Sequence, residues 1–177
     1  MQSDEELIEL AGKGDADAFE TLYYRYRDWV YRLAWRFTGN REQALDVLQE
    51  TFIYLLKKLP GFQLTARMTT FLYPVVKHLS LAARRKSRRH ISADETLSDL
   101  PAPAAKETIG GRAELAAVLA LLPDEQREIL LMRFVDDMTL EEIAGSLNIP
   151  AGTVKSRLYR ALQTLRGNQR TRNYFLE

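Results

Sequence analysis

The chain has 177 residues, no cysteine and a formal net charge of +1, which allows one or two small domains and excludes disulfides and cysteine-ligated metals. The near-neutral total hides a separation of charge. Asp4, Glu5, Glu6, Glu9, Asp15, Asp17 and Glu20 are opposed only by Lys13 at the start, whereas Arg84, Arg85, Lys86, Arg88 and Arg89 form a run with no acid. One side is therefore expected to face nucleic acid and another a different partner.

No signal peptide and no apolar run of spanning length is legible, so a cytoplasmic protein without membrane insertion is expected. Ser3–Gly12 reads as a short acidic helix, with Ser3 and Glu6 spaced as a capping box and Gly12 and Gly14 at its end. Asp15 or Asp17 can cap a long second helix whose stripe is Phe19, Leu22, Tyr23, Tyr26, Val30, Leu33, Ala34 and Phe37. Gly39 closes that helix and Asn40 opens a turn. A third helix, Arg41 to Leu59, is expected to bury Ala44, Leu48, Phe52, Leu55, Leu56 and Leu59 before stopping at Pro60-Gly61. The long helices should pack as an antiparallel pair.

Residues 61–68 read as a loop, and a fourth helix runs from about Thr69 to Arg89 on Phe71, Leu72, Val75, Val76 and Leu79. Pro74 marks either a later start or a kink. The composition then changes: Pro101, Pro103, Gly110 and Gly111 lie in 91–111, which is expected to be a flexible linker. Arg112–Leu122 reads as a helix on Leu115, Val118, Leu119 and Leu122. Another begins at Pro123-Asp124 and uses Ile129, Leu130, Met132 and Phe134.

The stretch from Thr139 to Arg166 carries the strongest functional pattern. Leu140, Ile143, Ala144 and Leu147 define one short helix. Asn148 tolerates a left-handed turn, and Pro150 stands where a helix begins. A second helix then buries Val154, Leu158, Ala161, Leu162 and Leu165. This is a helix-turn-helix pattern. Between Ala151 and Arg170 the charged residues are Lys155, Arg157, Arg160, Arg166 and Arg170, without an acid. Thr153, Ser156 and Tyr159 lie among them, and such a helix can donate to phosphates and to base edges in a major groove. The chain is therefore expected to be all-α: an N-terminal helical bundle over residues 1–90, the linker, and a C-terminal helix-turn-helix domain over residues 112–177.

The order of these pieces resembles the extracytoplasmic-function (ECF) sigma factors of bacterial RNA polymerase. The resemblance rests on DADAFETLYYRYRDWVYRLAWRFTGNREQALDVLQETF in the first domain and LPDEQREILLMRFVDDMTLEEIAGSLNIPAGTVKSRLYRAL in the second. It implies that Asp46, Gln49 and Glu50 dock on the clamp coiled coil of core RNA polymerase, the flap being a further contact. It also implies that 61–68 and the fourth helix melt the −10 element of promoter DNA. Arg67, Lys77, His78, Arg84 and Arg85 are the −10 candidates, and Phe62, Phe71 and Tyr73 are possible base platforms or core. The −35 element would meet Thr153, Lys155, Ser156, Tyr159 and Arg160, with Arg157 assigned to phosphate or to helix packing.

Phe71, Pro74, His78 and Ala82 depart from the family's frequent Trp, basic residue, Asn and Asp, which concerns the −10 sequence read. An anti-sigma factor is the expected regulator. No cofactor, metal or catalytic residue is assigned: His78 and His90 are the only histidines and lie far apart, and catalysis belongs to the partner. The competing reading is a conventional helix-turn-helix repressor or activator.

Overall fold

The computed structural model describes residues 2–94 and 116–167, and every regular element among them is an α-helix. The chain forms two compact units, Met1–Asp99 and Leu100–Glu177. The first holds α1 (Asp4–Gly12), α2 (Ala16–Thr38), α3 (Arg41–Lys58) and α4 (Met68–Asp94); the second holds α5 (Asp124–Phe134), α6 (Leu140–Leu147) and α7 (Ala151–Gly167), with a helical segment at 116–119 ahead of α5. Helix α4 runs to Asp94, so it continues into the segment expected to be linker. Residues 95–111 of that segment, the start of the helix expected from Arg112, and Arg170 lie outside the described residues.

Helix ends in the first unit follow local chemistry. Ser3 and Glu6 form the capping box, each side chain bonding the other residue's backbone N–H, which satisfies donors that a helix start leaves open. Asp15, not Asp17, caps α2 by accepting from the Ala18 N–H at 3.0 Å. Gly39 ends α2 at φ 65°, where a side chain would be strained, and Asn40 caps α3. Helix α4 passes through Pro74 without a break.

Helices α2, α3 and α4 enclose a core of Leu22, Val30, Leu33, Ala44, Val47, Leu55, Leu72, Tyr73 and Val76, all nearly free of solvent. Here α3 differs from expectation. Leu56 is 52% exposed, while Val47, part of the polar signature, is 1% exposed. Five of the six expected residues, Ala44, Leu48, Phe52, Leu55 and Leu59, are buried, and Val47 and Thr51 extend the buried arc of α3 on the side away from Leu56. Within the helix the arc consists of Ala44, Val47, Leu48, Thr51, Phe52 and Leu55. Tyr73 is core, with its ring 6.2 Å from that of Phe37.

The acidic helix α1 is fastened to α2 by one constellation. The Asp4 carboxylate accepts from both the Arg25 guanidinium and the Tyr26 hydroxyl, and Arg25 also donates to the Gln2 carbonyl at 3.0 Å. At its other end α1 approaches α3 so closely that a Cβ on Gly12 would lie 2.9 Å from the Leu59 carbonyl oxygen.

Because the obstacle is backbone, Gly12→Ala is expected to destabilise the first unit by about 1–3 kcal/mol in denaturant unfolding. Burial, and then the bond to Asp4, push the Tyr26 phenol well above its ordinary value. The folded chain thus keeps a proton that the unfolded chain releases near pH 10, so this contribution is intact below that pH and is lost as pH rises beyond it. Tyr26→Phe is expected to flatten the alkaline fall in stability, measured by thermal unfolding between pH 9 and 11 (roughly the range set by the reference phenol).

Candidate nucleic-acid and partner interfaces

The exposed half of α3 is chemically divided. Asp46, Gln49 and Glu50 are all exposed, at three- and four-residue spacings on one face. Beside them stand Leu45, Ile53 and Leu56, between 41% and 52% exposed. Leu45, Gln49, Ile53 and Leu56 follow one another at helical spacing, so a narrow apolar seam is bordered by two carboxylates. Sequence reasoning placed Leu56 in the core and passed over Leu45; the available signal was that α3 has more large apolar residues than one face can bury. On their other side Asp46 and Glu50 line a groove of about 340 Å³ between α3 and α4, with Val47, Leu79, Ala82 and Lys86 also on its wall.

Helix α4 carries the cationic candidates. Arg67 is exposed immediately before its start, Lys77 is half-buried, and His78, Arg84 and Arg85 are exposed. Lys77 and Arg84 are seven residues apart, as are His78 and Arg85, so the four form two adjacent rows on one face. Arg84 is not wholly available, since it donates to the Phe37 carbonyl at 3.2 Å and ties α4 to the end of α2. Near the start of α4, Phe62 and Phe71 pack ring to ring at 4.7 Å, and Tyr54 stacks on Phe71 at 6.3 Å and 24°. Tyr73, being buried, is not part of this surface.

In the second unit, the helix-turn-helix is built as its residues dictate. Thr139 and Glu142 form a capping box at the start of α6, and Asn148 ends it in the left-handed conformation at φ 53°, ψ 47°. The Ile149 N–H returns to the Ala144 carbonyl at 3.1 Å, and Pro150 leads into α7. Ala161 of α7 packs with Leu122 and Leu130, and Leu158, Leu162 and Leu165 close around them. Phe134, expected inside, is 61% exposed at the end of α5, where the chain leaves the helix and no neighbour among the described residues covers it. Arg127 braces this platform: its guanidinium donates to the Leu119 carbonyl at 2.8 Å and the Leu122 carbonyl at 2.7 Å.

The remaining face of α7 presents Lys155, Ser156, Tyr159 and Arg160, all exposed, with Thr153 half-buried in its first turn. Tyr159 is 60% exposed. Arg157 stands apart, because it pairs with Glu125 of α5 at 2.7 Å. Of its two expected roles, that geometry favours helix packing. Ser156 donates to the Thr153 carbonyl at 3.0 Å, and Gln163 donates to the Tyr159 hydroxyl oxygen at 2.6 Å; Gln163 was not among the candidates. Among the described residues no group of acids and histidines is arranged to hold a metal, and no helix is long and apolar enough to cross a membrane.

The Sigma-70 region 2 family model matches residues 22–90, and the Sigma-70, region 4 model matches residues 112–165. The ECF RNA polymerase sigma factor SigW of Bacillus subtilis is 31% identical over 173 residues, covering 90% of this chain and 92% of that protein. The RNA polymerase sigma-H factor of Pseudomonas aeruginosa is 29% identical, with 93% of each chain covered. Among solved structures, CnrH in complex with the cytosolic domain of CnrY superposes with a TM-score of 0.68 at 20% identity, covering 92% of this chain and 94% of that one. The sigma factor RpoE in complex with the anti-sigma factor NepR from Bartonella quintana gives 0.61 at 19%, covering 89% and 96%. These two likenesses concern the fold.

Arg127→Met removes the brace under α7 and leaves carbonyl oxygens without their charged donor. It is expected to cost about 1–3 kcal/mol in unfolding of the second unit, read from its denaturant midpoint.

Proposed function

The chain belongs to the extracytoplasmic-function sigma factors, alternative sigma factors that direct bacterial RNA polymerase to promoters, and from that premise we propose how its surfaces divide the work. Core RNA polymerase docks on the exposed face of α3. The observation that carries this is the seam of Leu45, Gln49, Ile53 and Leu56 edged by Asp46 and Glu50. A solvent-facing helix with such a seam is suited to a partner helix that supplies apolar side chains in its centre and cations at its rim. The clamp coiled coil is that partner in this reading. The flap is the contact of the second unit.

The −10 element is met by Arg67, Lys77, His78, Arg84 and Arg85. Cations along α4 suit the phosphates of a separated strand, and the Phe62–Phe71–Tyr54 cluster beside them suits an unstacked base. The −35 element is met by α7, where Lys155 and Arg160 supply charge, Ser156 and Tyr159 supply base-edge chemistry, and Thr153 meets a backbone phosphate. Arg157 serves chiefly to hold α7 on α5. A first domain that α4 carries past residue 90 to Asp94 and a second over residues 112–177, joined by the Pro-bearing remainder of 91–111, fit a tether that lets one reader make the other's contact effectively intramolecular. The protein acts in the bacterial cytoplasm, contributes no catalytic group, and leaves phosphodiester chemistry to the polymerase. As CnrH and RpoE are seen with CnrY and NepR, an anti-sigma factor is proposed to cover the α3 face and hold the factor inactive.

Holoenzyme assembly with core polymerase, followed by sequencing of transcripts from genomic fragments, tests this reading. Gln49→Ala with Glu50→Lys is expected to weaken assembly at least about tenfold and abolish factor-dependent starts. Leu56→Ala is expected to weaken assembly while leaving the unfolding midpoint almost unchanged; a core role for Leu56 would instead cost about 2–5 kcal/mol. Lys155→Ala should lower the salt dependence of promoter binding by about one counterion, and Arg157→Ala should leave it nearly unaltered.

A further inference from the structure

We propose that Gln163 is a specificity-determining residue of α7, acting by fixing Tyr159 as an outward hydrogen-bond donor towards an acceptor on a base edge of the −35 element. The proposal rests on the reading of α7 as the −35 reader and deepens it.

The argument is one of hydrogen-bond polarity. A phenol can donate once and can also accept. Gln163, one turn beyond Tyr159, aims its amide N–H at the phenol oxygen at 2.6 Å. That bond occupies an acceptor position, so the phenol's own proton is left for something else. Among the described residues no group takes it, and the ring is 60% exposed. The proton is therefore left available to an acceptor from outside. The neighbouring hydroxyl has the reverse polarity: Ser156 donates to the Thr153 carbonyl at 3.0 Å, which leaves its lone pairs facing out.

Two adjacent positions on α7 thus present opposite chemistry, an acceptor at Ser156 and a donor at Tyr159. In a major groove the first fits the amino group of adenine or cytosine. The second fits purine N7, guanine O6 or thymine O4. A freely rotating tyrosine hydroxyl would accept or donate with little preference. The bond from Gln163 removes that freedom and converts a permissive side chain into a selective one. Gln163 needs no contact with DNA for this, and is a positioning residue.

The polarity can be inverted. In Gln163→Glu the carboxylate only accepts, so it takes the Tyr159 proton and leaves lone pairs facing the groove. Holoenzyme carrying the wild-type chain, Gln163→Glu, Gln163→Met, Tyr159→Phe or Lys155→Ala is used to transcribe a promoter library randomised across the −35 element, and the transcripts are sequenced. The expected result is that one −35 position changes its base preference about tenfold in both Gln163→Glu and Tyr159→Phe. Gln163→Met should broaden the same position, while other positions keep their order. General repulsion by the new carboxylate would lower all sequences together and move no preference. Preferences retained in Gln163→Glu but lost in Tyr159→Phe overturn the role of Gln163. A uniform loss in Tyr159→Phe places its contact on phosphate and also overturns the proposal. If even Lys155→Ala leaves −35 selection and yield untouched, the assignment of α7 to that element fails instead.

Discussion

Helix α3 has to be apolar in two directions at once, and most of the first unit follows from that constraint. One arc, from Ala44 through Leu55, is the surface on which α2 and α4 close. The opposite arc holds Leu45, Ile53 and Leu56 in solvent. A helix that buried all of these residues would need packing partners all round, and the fold provides them on one side. Burial of the first arc stabilises the unit, while exposure of the second leaves hydrophobic free energy available to a partner. Asp46 and Glu50 beside the seam give that partner a preferred charge and discourage indiscriminate association. The cap of α3 at Asn40 and the close approach of α1 at Gly12 fix the two ends of this helix, while Arg84 ties α4 to the end of α2.

The second unit solves a different problem, that of keeping one helix face free. Helix α7 is gripped from behind by Leu122, Leu130 and their neighbours, and Arg157 is drawn to Glu125. What remains outward is short, cationic and hydroxyl-bearing. The left-handed Asn148 sets the turn between α6 and α7 through backbone bonds alone, so no side chain of α7 is spent on it. Matches to the two sigma-70 regions, in this order along a chain otherwise similar to SigW, remove the reason to prefer a free-standing repressor.

The sequence was most legible where the governing interactions are local. Ser3 with Glu6, Gly39 and Asn148 behave as their residue types require, because a cap or a left-handed turn is decided within a few residues. The all-helical class followed from periodicity in the same way. Leu56 and Phe134 were misplaced because burial depends on which neighbour arrives at the edge of an arc, and helical spacing alone cannot supply that. The brace from Arg127, the pairing of Arg157 and the constellation of Asp4, Arg25 and Tyr26 join positions brought together by tertiary packing. Gln163 escaped notice for a simpler reason: an exposed amide on a helix has no meaning until its neighbour's hydroxyl is known to lie against it.

The absence of cysteine from the whole chain gives a direct test of the central claim, that the exposed seam of α3 is the surface the polymerase covers. A single Ile53→Cys substitution introduces one thiol into that seam, and its rate of alkylation by a maleimide is compared in the free factor and in purified holoenzyme. Fast labelling of the free protein with strong protection in the holoenzyme is the result predicted here. Equal rates in the two states, with the factor still bound to core polymerase, would contradict it.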